Sequence, residues 1–565
     1  MNQSHFNDGL RFQSIALVLC WLFCILLHWN NDGLWFQGDA PRHAVNGLFL
    51  RDLIHEGLSN PVEYARSYYA RYPVVTASRY PPLFYINEAI AFEVFGTSTT
   101  VAKGVVQLFG LITGFYLLTS IRRWISPTAG IAAGLLFLMP GMISWNNAVM
   151  LNVPALCLAV ASLYHFRVGL DDSDEKQSPK HIGLATILAV LSILFHPTIG
   201  YVVIIGIAWV VASRKFHLLK DWRVRIVGAC ILVGLLGVFV VITIITPEQL
   251  AQVDWNMERF LRVNSLTFYP IALLKLIDLW GILFSILGLL WAFSQPQFRT
   301  DCLRILLGIL VVATILIPIW AKDPRYILLA CPTATWLCAY YVQAIAVYLH
   351  SNYSAKWAQS AILTSLLCLA LYAGYSASTK PMQEVNFMQQ VVEYVEQVAP
   401  EEPVIYEGRF DGTYGYYLRV RDPSFQRQMI LSKHLLEPIQ KLGPKDRVAA
   451  ATELLFESSC RWLILEKNKK LKPNTLEKVL QQVVKQPEFQ LAKTIRMSHS
   501  HIEEINIYHI KVNDQASPDF PRSMPVTVKR QTWQPIIRPN PNPVNSLPKK
   551  PQSSEIDNPS VDSHE

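Results

Sequence analysis

Apolar runs of near-spanning length constrain this chain more than any motif. They lie near residues 12–30, 101–120, 128–145, 149–167, 182–196, 198–213, 226–246, 271–294, 304–320, 326–348 and 358–378. A helix that crosses a bilayer needs about 20 mostly apolar residues, and in hydrocarbon its backbone polar groups must be satisfied within the segment. Eleven such runs predict a polytopic α-helical membrane protein. Composition agrees: 16% of the 565 residues are charged, against roughly a quarter in soluble proteins. The net charge of +8 is carried by basic residues scattered between the runs. It therefore reads as membrane orientation, and nucleic acid is not an expected partner.

Orientation follows from the short loops. With the amino terminus inside, the inner loops carry Arg122 and Arg123, then Arg167, Lys176 and Lys180, then Arg214, Lys215, Lys220, Arg223 and Arg225. Arg299, Arg304 and Lys356 continue the series, as the positive-inside rule requires. Residues 31–100, 247–270, 321–325 and everything after 378 then face outside. The first run, SIALVLCWLFCILLHW, is followed by no small-residue cleavage pattern and reads as a retained span. A bacterial cytoplasmic membrane is expected, with the site and the carboxy-terminal part on the periplasmic or exterior side. Nine cysteines form no CxxC pair and no metal-ligand spacing with histidine, so neither a disulfide framework nor a metal is expected. Cys20 and Cys24, one helical turn apart, read as small buried apolar side chains.

The first outer loop is patterned. Phe49, Leu50, Leu53, Ile54 and Leu58 share one helical face, with Arg51, Asp52, His55 and Glu56 opposite. That pattern predicts an interfacial helix. Tyr64, Tyr68, Tyr69 and Tyr72 are spaced to anchor a second one at headgroup level. The apolar run after Pro82 is short and contains Glu88 and Glu93, so it reads as re-entrant or interfacial, with both acids facing water. Beyond residue 380, strand-like PVIYE, RWLILE and EINIYHIKV alternate with helical stretches such as NTLEKVLQQVVKQ, which predicts a small extracytoplasmic α/β domain over 381–512. Within it, IYEGRFDGTYGYYLRVRD (405–422) reads as a turn and helix start, with Arg409, Asp411 and three tyrosines as a weaker binding candidate. Residues 513–565 are Pro-rich and read as a disordered tail. No internal repeat is visible, which weakens transporter readings built on inverted repeats.

Directly after the first run comes GDAPRHAVNGLFLRDL. A carboxylate at that edge, Asp39, is placed to take the proton of an acceptor hydroxyl as it attacks an activated sugar. A departing lipid phosphate needs positive charge or hydrogen-bond donors at its oxygens, and Arg42, Arg79 and Tyr80 supply them in the same loop. The string resembles the first-loop motif of the GT-C glycosyltransferases, in particular the protein O-mannosyltransferase and lipid A aminoarabinose transferase branch. Asp39, Pro41 and Arg42 match it, while Ala40 stands where the family has a second acid and His43 where it has an aromatic. RYPPLFY (79–85) resembles the segment whose basic residue contacts the lipid phosphate, a role the resemblance gives to Arg79. LFHPTIGYVV (194–203) resembles the position of a further basic group, for which His196 would stand in. AKDPRYILLACP (321–332) resembles the late Arg-Tyr-x-Leu-Pro segment and implies Lys322, Arg325 and Tyr326 near the site.

The resemblance implies an inverting glycosyltransferase that uses a polyprenyl-phosphate sugar, with a hexose or pentose as the sugar. The acceptor is a lipid, glycan or protein at the outer face, and membrane lipid surrounds the whole. Asp39 is its general base, and no cofactor is expected because no glycine-rich phosphate loop is present. Two other readings stay open on the sequence. A transporter or flippase of a lipid-linked saccharide would share the basic contacts without needing a base, and a non-catalytic membrane scaffold would use the outer domain to bind a partner. Transporters place their charges mid-membrane, whereas here the polar groups crowd the outer edge.

Overall fold

The computed structural model describes residues 3–533 except 36–37, 77–79, 172–177, 214–262 (apart from 225, 229, 233 and 236), 318–321, 354, 380–386, 401, 459, 469–472, 497–501, 512–525 and 529–530. The expected span at 226–246 falls almost wholly outside them, as does Arg79. Among the described residues, five helices are long and apolar enough to cross a membrane: Thr99–Trp124, Asn152–Asp171, Ser178–Phe195, Thr267–Ser294 and Pro324–Asn352. Shorter apolar helices accompany them at Leu10–Leu26, Pro197–Ala212 and Thr364–Ala377.

Helix α1 (Gln3–Leu26) leads through a loop into α2 (Ala40–Asp52), α3 (Pro61–Arg71) and α4 (Leu83–Phe95), and then into α5 (Thr99–Trp124). Ser98 caps α5 by accepting from the Val101 amide, and Arg122 and Arg123 oppose the partial negative charge at its far end. The run at 128–145 is not a regular spanning helix. It is a 3-10 stretch, Thr128–Leu138, followed by a short helix, Pro140–Trp145. Gly130, Ala132, Ala133 and Gly134 permit the close approach: a β-carbon at residue 130 would sit 2.6 Å from Arg122. Pro140 cannot extend the preceding turn. The break at His196-Pro197 is as expected, because helix Ser178–Phe195 stops before the proline and a 3-10 turn bridges to Tyr201–Ala212.

Loop 1 packs against protein more than its amphipathic pattern suggests. Nearly all of α2 is buried, against α4 and helix Asp411–Val420. Of its expected membrane-facing residues, Phe49 is buried while Ile54 and Leu58 are exposed. Tyr68 and Tyr72 do not sit at a headgroup surface; both are buried. Their hydroxyls donate to Asp52 at 3.0 Å and Asp422 at 2.6 Å, since a buried phenol needs a partner. Glu88 is also inside, not facing water, with neither carboxylate oxygen hydrogen-bonded among the described residues. Glu93 is the exposed one, paired with His55 at 2.8 Å.

Residues 404–510 form a five-stranded sheet in the order β2-β1-β3-β5-β4. The strands are β1 (Val404–Glu407), β2 (Met429–Leu431), β3 (Trp462–Asn468), β4 (Phe489–Arg496) and β5 (Ile502–Ile510). β2, β1 and β3 are parallel, with Ile405 opposite Ile430 and Leu463; β5 runs antiparallel to both β3 and β4. Alternation decides the two faces. Val404, Tyr406, Met429 and Leu431 join the core that continues into loop 1, whereas Ile405, Ile430 and Leu463 pack under helices Pro444–Glu457 and Thr475–Val483. Inside the expected tail, residues 526–528 pair with 531–533 as a short antiparallel ladder.

A buried polar joint fastens this sheet to loop 1. Arg419 donates to Asp52 at 2.8 and 3.0 Å and stacks 3.8 Å over the Phe425 ring. Asp422 accepts from Tyr72 and from the amides of Gln426 and Arg427.

Glu466 braces the turn after β1, accepting from Tyr406 Oη and from the amides of Arg409 and Phe410. Burial raises its carboxyl to about 7, and those three donors oppose the rise. Around pH 5 the folded form holds a proton that the unfolded chain releases. Raising the pH toward 7 therefore costs stability, by up to about 3 kcal/mol, and the slope flattens above about 7. Hydrogen exchange of β1 and β3 amides, corrected for intrinsic rates, should show protection falling between pH 5 and 7.5. In Glu466→Gln that slope should vanish while protection is lower throughout.

Candidate active site

Asp39 occupies the position before the first turn of α2, where Pro41 supplies the preset φ of a helix start. Its side chain makes no capping hydrogen bond. It reaches instead to Arg325, with Oδ2 at 2.9 Å from Nη1. Arg325 lies on a 3-10 turn, Pro324–Ile327, whose first amide is capped by Asp323. The same Asp323 carboxylate lies 3.2 Å from Arg325 Nε. One guanidinium thus joins two carboxylates, Asp323 from its own turn and Asp39 from the first loop. At 10% exposure the Arg325 side chain is shielded enough that these charge-assisted contacts hold their geometry. Burial raises the Asp323 carboxyl, and Arg325 acts against that rise.

Aromatic and imidazole rings fill the space beside the pair. The His43 amide donates to the Asp39 carbonyl at 2.9 Å, which places its ring one turn along. His43 Nδ1 is 2.9 Å from Tyr85 Oη, and its ring is edge-on to Tyr80 at 5.2 Å. Tyr80 also lies 6.2 Å from the His196 ring, which lies 6.5 Å from Tyr326. His196 itself caps the 3-10 turn after Pro197, accepting from the Thr198 amide at 3.3 Å. Tyr201 Oη donates to the Tyr326 carbonyl and ties that turn to the late segment.

Of the residues singled out in the sequence, Asp39, Tyr80, His196, Arg325 and Tyr326 come together, joined by His43. Two others are committed elsewhere. Arg42 Nη2 donates to both oxygens of Asp411 at 3.0 and 3.1 Å, turning toward the sheet. Lys322 Nζ donates to the carbonyls of Leu316 and Ile317 at the end of a helix and sits 5.1 Å from the Tyr269 ring centroid; burial lowers its ammonium below the usual lysine range. In 405–422 the expected turn and helix start appear, with Tyr414, Tyr416 and Tyr417 buried as packing. Sequence reasoning passed over Asp323 and Tyr85. Asp323 had a signal, an acid directly before Pro324 where a turn begins; Tyr85 had none apart from its neighbours. No group of three His, Cys, Asp or Glu gathers as metal ligands among the described residues.

Comparison with known proteins follows the same lines. Residues 79–244 match the family model for dolichyl-phosphate-mannose-protein mannosyltransferases, and no curated protein matches the chain. ArnT from Cupriavidus metallidurans in the apo state aligns with a TM-score of 0.58 at 15% identity, over 89% of this chain and 98% of that one. Its undecaprenyl-phosphate complex gives 0.56 at the same identity and coverage. AglB, the oligosaccharyltransferase of Archaeoglobus fulgidus, in complex with an inhibitory peptide and a dolichol-phosphate, gives 0.52 at 14% identity, over 80% and 69%. The chain shares the fold of ArnT and AglB, and residues 79–244 are similar to the mannosyltransferase family, in line with the resemblance read from the sequence.

Proposed function

We propose that this protein transfers a sugar from a polyprenyl-phosphate donor to an acceptor hydroxyl, with inversion at the sugar carbon and Asp39 as general base. The observation that carries this reading is the 2.9 Å contact of Asp39 with Arg325, which sets an oriented carboxylate beside a cation and a cluster of aromatic and imidazole rings. The acceptor gives its proton to Asp39 as its oxygen bonds to the sugar. The lipid phosphate leaves against Arg325, with Arg79 as a second cation from the neighbouring loop and the hydroxyls of Tyr80 and Tyr326 as donors. Arg42 and Lys322 act by holding Asp411 and a helix end, and His196 by shaping the turn. The lipid phosphates bound by ArnT and AglB support this class of donor.

The proposed organisation is a membrane module over 1–380 with about eleven spans, first-loop helices near the outer surface, the α/β domain over 381–512 and a tail over 513–565. The site and the α/β domain face the periplasm or exterior of a bacterial cytoplasmic membrane. Purified protein incubated with a polyprenyl-phosphate hexose or pentose should release polyprenyl phosphate. Donor that crosses a proteoliposome bilayer intact, with no release, would make the chain a carrier instead.

Arg325→Lys gives a second check. A lysine presents a point charge and cannot hold two carboxylates through separate nitrogens. Losing one charged hydrogen bond of about 1.5–3 kcal/mol should slow turnover by about 10- to 100-fold.

A further inference from the structure

A cleft of about 480 Å³ opens in the α/β domain, well apart in sequence from Asp39. It lies at the carboxyl ends of β1 and β2, where Glu407-Gly408 and Leu431-Ser432 leave the sheet. β1 connects through helix Asp411–Val420 on the loop 1 face, whereas the chain leaving β2 runs on to helix Pro444–Glu457 on the other face. Such a switch point, where consecutive connections take opposite faces, leaves a crevice at the carboxyl ends of parallel strands, and open α/β sheets bind ligands there.

The lining defines a ligand chemistry. Glu407 and Asp411 face Lys433 and Arg447, so charge is balanced and a phosphate-rich ligand would meet two carboxylates. Glu407 is held by the Ser432 hydroxyl and, at 3.3 Å, by the Asn474 amide; the Asp411 carboxylate lies 3.5 Å from the Lys433 ammonium. Carboxylates alternating with amide, hydroxyl and ammonium donors suit vicinal hydroxyls, which both give and accept hydrogen bonds. Leu431, Ile439 and Val479 add an apolar wall for the C–H face of a sugar ring. The volume falls in the range of about 300–1,000 Å³ usual for small-molecule sites.

Asp411 serves two sites at once. It lines the cleft and also receives both contacts from Arg42, three residues beyond Asp39 on loop 1. We propose that this cleft binds a saccharide chain, free or as the headgroup of a glycolipid, as the acceptor-holding subsite of the transferase. Its occupancy reaches loop 1 through the Asp411–Arg42 contact. The acceptor role rests on the glycosyl-transfer reading above; saccharide binding itself does not.

The test keeps the two apart. Labelled full-length protein in detergent is applied to an array of neutral, acidic and amino-sugar glycans, printed free and lipid-conjugated. Thr475→Trp fills the cleft from its exposed rim, and Leu491→Trp adds the same side chain at an exposed site on β4, across the sheet. The expected result is binding to a subset of glycans, weakened at least 10-fold by Thr475→Trp and kept by Leu491→Trp. Lys433→Ala, at an exposed position whose ammonium lies 3.5 Å from the Asp411 carboxylate, should weaken the same subset. Preference for the free or the lipid-conjugated set identifies the source. No glycan bound, or binding that Thr475→Trp leaves unchanged, overturns the proposal. Donor cleavage in water, measured on the same wild-type preparation, reports on the transferase reading independently of either outcome.

Discussion

Asp39→Asn is expected to lower sugar transfer by about 100- to 10,000-fold, the usual contribution of a positioned acid or base, while donor binding changes little. The substitution keeps the side chain's size and leaves an amide oxygen that can still accept from Arg325 Nη1, which now donates to Asp39 at 2.9 Å. Asp323 remains beside Arg325 Nε at 3.2 Å, so the guanidinium is not stripped of its counter-charge. What disappears is the lone carboxylate basicity that accepts the acceptor's proton. Single-turnover assays with a radiolabelled polyprenyl-phosphate sugar separate the two effects: bound donor persists and cleaved donor does not accumulate. A rate within threefold of wild type would remove Asp39 from the chemistry.

The second large effect is structural. Arg419→Ala strips the buried joint between the sheet and loop 1, leaving Asp52, almost wholly buried, with only the guanidinium of its neighbour Arg51 at 2.7 Å. A buried charge left with no partner costs about 3–5 kcal/mol; the retained Arg51 and Tyr68 contacts to Asp52 keep the loss below that. The Phe425 ring also loses the cation 3.8 Å above it. Thermal unfolding in detergent should shift to distinctly lower temperature, and limited proteolysis should open loop 1 first. Arg421→Ala removes contacts to Glu393 and Glu396 from a side chain that is 37% exposed. Solvent screens that pair, so its loss should cost less than about 1 kcal/mol. Equal losses in the two variants would mean that the joint holds nothing together.

Much of the membrane architecture was legible because hydrophobic length is a local property. Of the eleven expected runs, nine coincide with helices. The run at 128–145 differs because mean apolarity does not separate a spanning helix from a tightly packed 3-10 stretch; small residues at 130, 132, 133 and 134 were the visible hint. Asp39 could be singled out from the residues around it, but its partner could not, since 286 positions separate it from Arg325. For Arg42 the sequence shows a cation in the right loop, and only the fold shows it turned toward Asp411. The tyrosines of α3 carried the pattern of an interfacial belt. Their destination depended on Asp52 and Asp422, buried acids supplied by loop 1 and by the stretch after helix Asp411–Val420.

The proposed reaction is one base-assisted displacement, with no covalent sugar–protein bond. The direct measurement is the anomeric configuration at C1 of the transferred sugar, read by NMR in donor and product from a single reaction. Proton transfer to Asp39 in one displacement predicts inversion. Retention would mean two displacements, with the carboxylate as nucleophile, and would contradict Asp39 as a general base.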